Sequence, residues 1–383
     1  MRIGINLLSL TSYQGTETYA ENIIRSLLDT KMLDMELVIF GTTRLPQGLR
    51  FKKTDGIHTV MVDIPFWGKG FLAFYQQTVL PFLLWKNKKN ILFAPSPTAP
   101  LFLHSKVVTI HDCAYDHFPE FDSKFSRIYF WLMYQGAKYF SRKIITVSEF
   151  SKRELCTLYK IPGEKIHVIY EALPLLPNPT IDVLPAVLQK FAIRNAYFFY
   201  IGNTRPRKNL DRLLLAFKEF LQQTNESYQL VVAGKIDTRF LNLKTMIEET
   251  GLGGKVILTD FVTQEEKVLL YKGAMALVFP SLYEGFGLPV LEAQSLGIPV
   301  LTSNTSSLPE IAGEGAIYVD PYSIEDIAKG MKRLTVDKEL RTKLIQAGFE
   351  NVKRFSWAKA AWQLQEIFLT VAKNKKASSK VPK

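Results

Sequence analysis

Short apolar runs rich in β-branched and aromatic residues recur along this chain. Between them, apolar positions return at the spacing of a helix face. In the first half the runs predict strands at Arg2–Leu8, Glu36–Phe40, Thr59–Ile64, Ile91–Ala94, Val107–His111, Ile144–Val147 and His167–Ile169, with helices notably at Glu17–Leu28 and Ile128–Tyr139. A stretch bearing Pro174, Pro177, Pro179 and Pro185 then interrupts the alternation and predicts a linker. Strands resume at Tyr197–Ile201, Leu230–Gly234, Val256–Leu258, Leu277–Phe279, Val300–Thr302 and Ile317–Val319. Helices are expected between them at Leu210–Leu221, Leu241–Thr250, Glu265–Tyr271 and Val290–Ser295. Such alternation means parallel sheets covered on both faces. The chain is therefore expected to be α/β, with two Rossmann-like domains facing one cleft and ligands at the carboxyl ends of the strands. The expected boundaries are 1–172 and 196–355 for the domains, 173–195 for the linker, 356–372 for a terminal helix and 373–383 for a basic, disordered tail.

Length agrees with this reading, since 383 residues are too many for one compact core. Cys113 and Cys156 offer neither a disulfide framework nor metal-ligand spacing, and read as buried thiols in a reducing compartment. Ile3–Leu10 is too short for a signal peptide and behaves as a first strand. Phe71–Trp85 falls short of a membrane span, being interrupted by Gln76, Gln77 and Pro81. With Lys86, Lys88 and Lys89 behind it, this segment fits a membrane-surface helix or a helix packed on the sheet, and the sequence leaves both open. The net charge of +12 is uneven: residues 1–170 carry 21 basic and 14 acidic side chains, 171–350 carry 19 and 21, and 351–383 carry 8 and 1. No nucleic-acid-binding motif accompanies the excess. Attraction to an anionic membrane surface fits it better, and solubility alone is the plainer alternative.

The segment from Ser281 to Ala293 carries the most chemistry. Ala276–Pro280 reads as a buried strand, Gly285-Phe286-Gly287 as a turn, and Leu288-Pro289 as a helix start, with Pro289 suited to the first helical position. Strand, glycine turn and helix start present backbone N–H groups to an anion. Glu284 then lies in the loop and Glu292 about one turn inside the helix. A carboxylate can take both hydroxyls of a ribose, whereas the plainer reading of Glu292 is a solvated helix face. Arg207 and Lys208 follow the first strand of the second domain, where a guanidinium fork and an ammonium would meet phosphate oxygens. His111 and Asp112 end a strand of the first domain, and Gly15 lies in the loop Thr11–Thr18, where glycine would let backbone N–H groups approach a donor diphosphate closely.

Taken together these motifs resemble glycosyltransferase family 4, the retaining transferases with the GT-B fold. Glu284 and Glu292 fit the family's E-x7-E signature, and Gly202-Asn203-Thr204-Arg205-Pro206-Arg207-Lys208-Asn209-Leu210 resembles its phosphate-binding segment. Thr302–Gly313, Phe355-Ser356-Trp357, Thr109-Ile110-His111-Asp112, Pro119-Glu120 and Thr146–Lys152 extend the likeness over nearly the whole chain. The resemblance implies that Glu292 holds the ribose, and that Glu284 contacts the transferred sugar and stabilises positive charge at its anomeric carbon. It also implies that the Gly285, Phe286, Gly287 and Leu288 backbone meets sugar or diphosphate, with the base near Phe261 and Val262. Arg207 and Lys208 rather than Arg205 would neutralise the leaving diphosphate. His111 would hydrogen-bond the donor sugar, with Asp112 shaping the acceptor side. The glycine loop departs from the family, since it has Gly15 where two or more glycines are usual. No cofactor and no metal are expected: the chain has no Asp-x-Asp and no His/Cys cluster, and the GT-B fold usually works without a cation.

The expected activity is transfer of a hexose, with mannose a candidate, from a nucleotide-diphosphate sugar to a saccharide or lipid-linked acceptor. The expected location is cytoplasmic, with the inner membrane face open. A nucleotide-sugar epimerase and a non-catalytic part of a polysaccharide-assembly complex remain as alternatives. No Ser-His-Asp arrangement is defined by the sequence, and the G-x-S-x-G elbow of serine hydrolases is absent.

Overall fold

The computed structural model describes residues 1–10, 15–30, 36–43, 45–51, 57–62, 69–87, 91–237 and 242–378. Its first strands are β1 (Arg2–Asn6), β2 (Glu36–Thr42), β3 (Ile57–Val62), β4 (Ile91–Ala94), β5 (Lys106–Thr109), β6 (Lys143–Thr146) and β7 (Ile166–Val168). The helices among them are α1 (Gly15–Asp29), α2 (Lys69–Lys86), α3 (Ala114–His117), α4 (Lys124–Phe140) and α5 (Glu149–Tyr159). The second series has β8 (Ala196–Ile201), β9 (Tyr228–Ala233), β10 (Val256–Asp260), β11 (Ala276–Phe279), β12 (Val300–Ser303) and β13 (Ala316–Val319). Its helices are α6 (Leu184–Lys190), α7 (Leu210–Gln222), α8 (Leu243–Glu249), α9 (Gln264–Gly273), α10 (Leu288–Ser295), α11 (Leu308–Ala312), α12 (Ile324–Val336) and α13 (Lys338–Val352), and α14 (Trp357–Ser378) closes the chain.

Two compact units result: Met1–Pro174 with Ser356–Lys383, and Leu175–Phe355. Among the described residues the first holds a parallel sheet in the order β3-β2-β1-β4-β5-β6-β7, the second one in the order β10-β9-β8-β11-β12-β13. Both are Rossmann-like. Every residue of β9, Tyr-Gln-Leu-Val-Val-Ala, is buried, as a strand covered on both faces requires. Helix α7 covers one face with Leu210, Leu213, Leu214, Phe217 and Phe220, spaced three and four apart.

Several elements differ from the sequence reading. The proline stretch expected as linker contains α6, because Pro185 sits in its first turn, where no N–H is needed. Val187 and Ile193 then pack into the core of the second unit. Helix α1 starts at Gly15, so residues 15–18 belong to a helix rather than a loop; Thr11 to Gln14 lie outside the described residues, as do Asp63, Ile64, Lys88, Lys89, Leu241 and residues 379–383. Helix α2 runs on through Pro81, burying Leu80 and Leu84 while Phe74, Phe82 and Trp85 stay exposed. The terminal helix runs on to Ser378, into the stretch expected as a disordered tail from 373, and packs with the first unit: Gln365 Nε2 donates to Thr30 Oγ1 at 2.8 Å, Phe368 meets Phe93, and Trp357 Nε1 donates to the Leu173 carbonyl at 2.9 Å.

Candidate active site

Ligands of open α/β sheets gather where the strand order reverses. In the second unit that point lies between β8 and β11. The loop after β8 carries Arg205 to Asn209, and the loop after β11 carries Ser281 to Gly287. Arg207 Nη1 donates to Glu284 Oε2 at 2.9 Å and to the Tyr283 carbonyl at 2.9 Å. Lys208 Nζ donates to Glu284 Oε1 at 2.5 Å, and Lys208 lies over the Phe279 ring at 4.9 Å. Glu284 and Lys208 are buried. Burial works to raise the Glu284 pKa, but Lys208 and Arg207 overcome it and hold the carboxyl at about 2. At neutral pH the site is thus two cations clamped on one carboxylate.

The local sequence builds this clamp. Asn209 adopts a left-handed conformation, φ +61°, and its buried amide donates to the carbonyls of Pro280 and Pro321 at 2.9 and 2.6 Å, strapping one loop to the other. The Leu282 N–H donates to the Arg207 carbonyl at 2.8 Å. Ser307 Oγ donates to the carbonyls of Glu284 and Phe286, and the Glu284 N–H donates to Ser306 Oγ. Gly287, at φ +115°, caps α10; Leu288 opens the helix and Pro289 is second, one place later than the sequence predicts. Gly234 after β9 comes so near the β8 loop that a Cβ would meet the Gly202 carbonyl oxygen at 2.2 Å.

Helix α10 is buried nearly all round, so Glu292 is not on a solvated face. Its carboxylate accepts from Lys267 Nζ at 2.7 Å and from the Tyr271 hydroxyl at 3.0 Å. Lys267 and Tyr271 were not foreseen, although their i, i+4 spacing puts them on one face of α9. Phe261 is exposed just beyond β10, while Val262 packs against the core.

In the first unit the order reverses between β1 and β4. Asn6 Nδ2 donates to the Thr98 carbonyl at 2.8 Å there, and Ser9, Ser96 and Thr98 share hydroxyl hydrogen bonds. His111 stands two residues past β5 instead of ending it. Its Nε2 lies 2.9 Å from the Pro95 carbonyl and its Nδ1 3.3 Å from Glu171 Oε1, while Tyr19 meets the ring edge-on at 4.8 Å. Both neighbours accept, so an N–H on either ring nitrogen has a partner, an arrangement that favours the doubly protonated form. Burial works to lower the His111 pKa, yet Glu171 and the Pro95 carbonyl leave it raised. Glu171 gave no sequence signal, being 60 residues from its partner. Asp112 Oδ1 accepts the Ala114 N–H at 3.0 Å and so starts α3. At Gly15 a Cβ would meet nothing within 4 Å, so the described neighbours do not demand glycine. Among the described residues no group of three His, Cys, Asp or Glu could hold a metal ion.

Comparison with known proteins agrees with this architecture. The family described as Glycosyltransferase Family 4 matches residues 13–175, and Glycosyl transferases group 1 matches 189–351. The chain is similar to the O-antigen chain mannosyltransferase B of Escherichia coli, at 32% identity over 279 residues, 72% of this chain and 73% of that one. It is 28% identical over 224 residues to the serotype-specific mannosyltransferase WbdA of the same species, 58% of this chain but 26% of that longer protein. Among solved structures, Anabaena HepE in complex with UDP-glucose superposes with a TM-score of 0.75 at 16% identity, over 97% of this chain and 100% of that one. With two parallel-sheet Rossmann-like units arranged along it, this chain belongs to glycosyltransferase family 4 and is a glycosyltransferase of the GT-B fold.

Proposed function

We propose that the chain is a retaining hexosyltransferase that moves mannose from a nucleotide-diphosphate sugar to a saccharide or lipid-linked acceptor. The observation that carries this reading is the Arg207–Glu284–Lys208 clamp at the reversal point of the second sheet. The names of two similar Escherichia coli proteins, both mannosyltransferases, support the choice of sugar.

In this reading the diphosphate takes up Arg207 and Lys208, whose fixed charges offset the negative charge that grows as the anomeric C–O bond breaks. No cation is assigned a part. Glu284, ionised at any physiological pH, then faces an oxocarbenium-like carbon as an anion rather than as an acid. The departing diphosphate oxygen accepts the proton of the acceptor hydroxyl on the same face of the sugar, so configuration is retained. Glu292 accepts from the ribose hydroxyls, releasing Lys267 or sharing it. We assign the acceptor to the first unit, with His111 as a hydrogen-bond donor to the donor sugar once its Pro95 or Glu171 bond opens. The basic excess of residues 1–170 and 351–383 supports a place at the cytoplasmic face of a membrane.

The test is transfer from GDP-, UDP-, ADP- and dTDP-sugars to a defined acceptor, with NMR of the new linkage and chelator added in a parallel arm. A product with the donor's anomeric configuration, formed at the same rate with chelator, is expected. An inverted linkage removes the retaining mechanism, and loss of rate with chelator removes the cation-free one.

A further inference from the structure

The helix α4, Lys-Phe-Ser-Arg-Ile-Tyr-Phe-Trp-Leu-Met-Tyr-Gln-Gly-Ala-Lys-Tyr-Phe, is apolar on both faces. Met133, Tyr134, Gly136 and Ala137 are buried against the first unit. The opposite face should be polar in a helix that meets only water. Instead it presents Phe125, Ile128, Trp131, Leu132 and Tyr139, from 41% to 64% exposed. Helix α2 repeats the inversion, with Leu80 and Leu84 inside and Phe74, Phe82 and Trp85 outside. The two helices are tied together, since the Tyr129 hydroxyl donates to Gln76 Oε1 at 3.3 Å. The segment after Ala99 is bonded to Gln77 of α2, and its exposed Phe102 packs on Phe140 of α4. Exposed apolar side chains grouped in this way mark an interaction surface, whereas scattered ones do not.

Charge identifies the occupant. Neither α2 nor α4 contains an Asp or Glu, and their charged residues are Lys69, Lys86, Lys124, Arg127 and Lys138. Aromatic and aliphatic side chains interleaved with cations alone are what a bilayer interface selects, as rings lie at headgroup depth and basic chains reach phosphates. No described helix is long and apolar enough to cross a membrane. A cavity of about 390 Å³ opens at the start of α4, lined by Tyr115, Lys124, Arg127, Ile128 and Trp131 among others. It sets two cations beside aromatic walls, a fit for a phosphate with apolar substituents. Asp116 also lines it, its carboxylate sharing the Tyr159 hydroxyl proton at 2.9 and 2.8 Å and interacting with Arg127, so the lining keeps one net positive charge.

We propose that the outward face of α4, with α2 beside it, is the docking surface of this enzyme for an anionic lipid bilayer, and that the cavity at its start receives a lipid phosphate. This deepens the lipid-linked acceptor reading above, but it is tested without donor or acceptor, so either can fail alone.

The full chain is sedimented with vesicles of phosphatidylcholine and with vesicles also containing phosphatidylglycerol. Three cations, Lys124, Arg127 and Lys138, at about fivefold each predict roughly a hundredfold preference for the anionic vesicles at low salt. Ile128→Ser with Leu132→Ser should weaken binding to both kinds by at least about tenfold. Lys124→Gln with Arg127→Gln should remove about twentyfold of the anionic preference alone. Melting temperature checks the fold of each variant. Should one not fold, brominated lipid is added to the unmutated chain, where quenching of tryptophan emission that Trp131→Phe reduces places the same face against the bilayer. Absence of vesicle binding, binding indifferent to both variant pairs, or quenching unaffected by Trp131→Phe overturns the proposal. A variant that loses self-association instead, with no vesicle binding, reassigns the face to a protein contact.

Discussion

Glu284→Gln probes the clamp directly. The substitution keeps shape but removes a carboxylate that both Arg207 and Lys208 contact. Holding a buried carboxyl near 2 against an ordinary value of 4.5 corresponds to roughly 3 kcal/mol favouring its charged form. Removing one member of a buried ionic group costs about 3–5 kcal/mol, in line with that figure. At roughly 2–4 °C per kcal/mol for a domain of this size, the melting transition of the second unit should fall by about 6–12 °C at pH 7. The sign of the pH dependence is fixed: a depressed carboxyl pKa stabilises above its unfolded value and ceases to do so as pH falls through the folded one. The gap between wild type and variant should therefore narrow from pH 4.5 towards 2. Nucleoside diphosphate supplies the missing anion, so it should raise the melting temperature of the variant more than that of the wild type, while sugar transfer is lost. Scanning calorimetry with and without diphosphate, beside a transfer assay, reads all three. A variant that melts with the wild type, or that diphosphate does not favour, would show that Glu284 does not hold the two cations.

Other positions give independent outcomes. Glu292→Gln should raise the donor KM by about 10–100-fold, the loss of a charged hydrogen bond, and leave kcat nearly unchanged in steady-state assays. Gly234→Ala should destabilise the second unit by more than about 2 kcal/mol in denaturant titration, because the new methyl meets the Gly202 carbonyl at φ +118°. Glu171→Gln should lower the His111 pKa by NMR titration. A raised histidine pKa stabilises below the unfolded value of about 6.5 and stops doing so as pH rises through the folded one, so this variant should lose stability at pH 6 and little at pH 9.

How far the sequence reached follows from the range of the interactions. Parallel strands buried on both faces are continuous apolar runs, which is why β4 and the cores of the other strands were legible within a few residues. The E-x7-E block was legible because its glycines and proline mark a turn and a helix start, and because its two acids fit the signature of the family it resembles. Helix α6 was not, as Pro185 and the three prolines before it read as a linker until the core that receives Val187 was known. Pairings across the fold were also hidden. Arg207 and Lys208 stand 76 or more residues from Glu284, so each was foreseen by its chemistry but not the ion pairs that join them. Glu171 on His111 and Lys267 on Glu292 are of the same kind. The outward aromatics of α4 read from sequence as an ordinary amphipathic helix, since periodicity shows that a helix has faces but not which one the sheet takes.

The central claim is that Arg207 and Lys208 exchange Glu284 for the donor's diphosphate. The most direct measurement is a crystal structure of the chain soaked with nucleoside diphosphate. Phosphate oxygens are expected within hydrogen-bond distance of both side chains and of the turn that starts α10. A diphosphate bound elsewhere, with the Arg207–Glu284–Lys208 clamp intact, would contradict it.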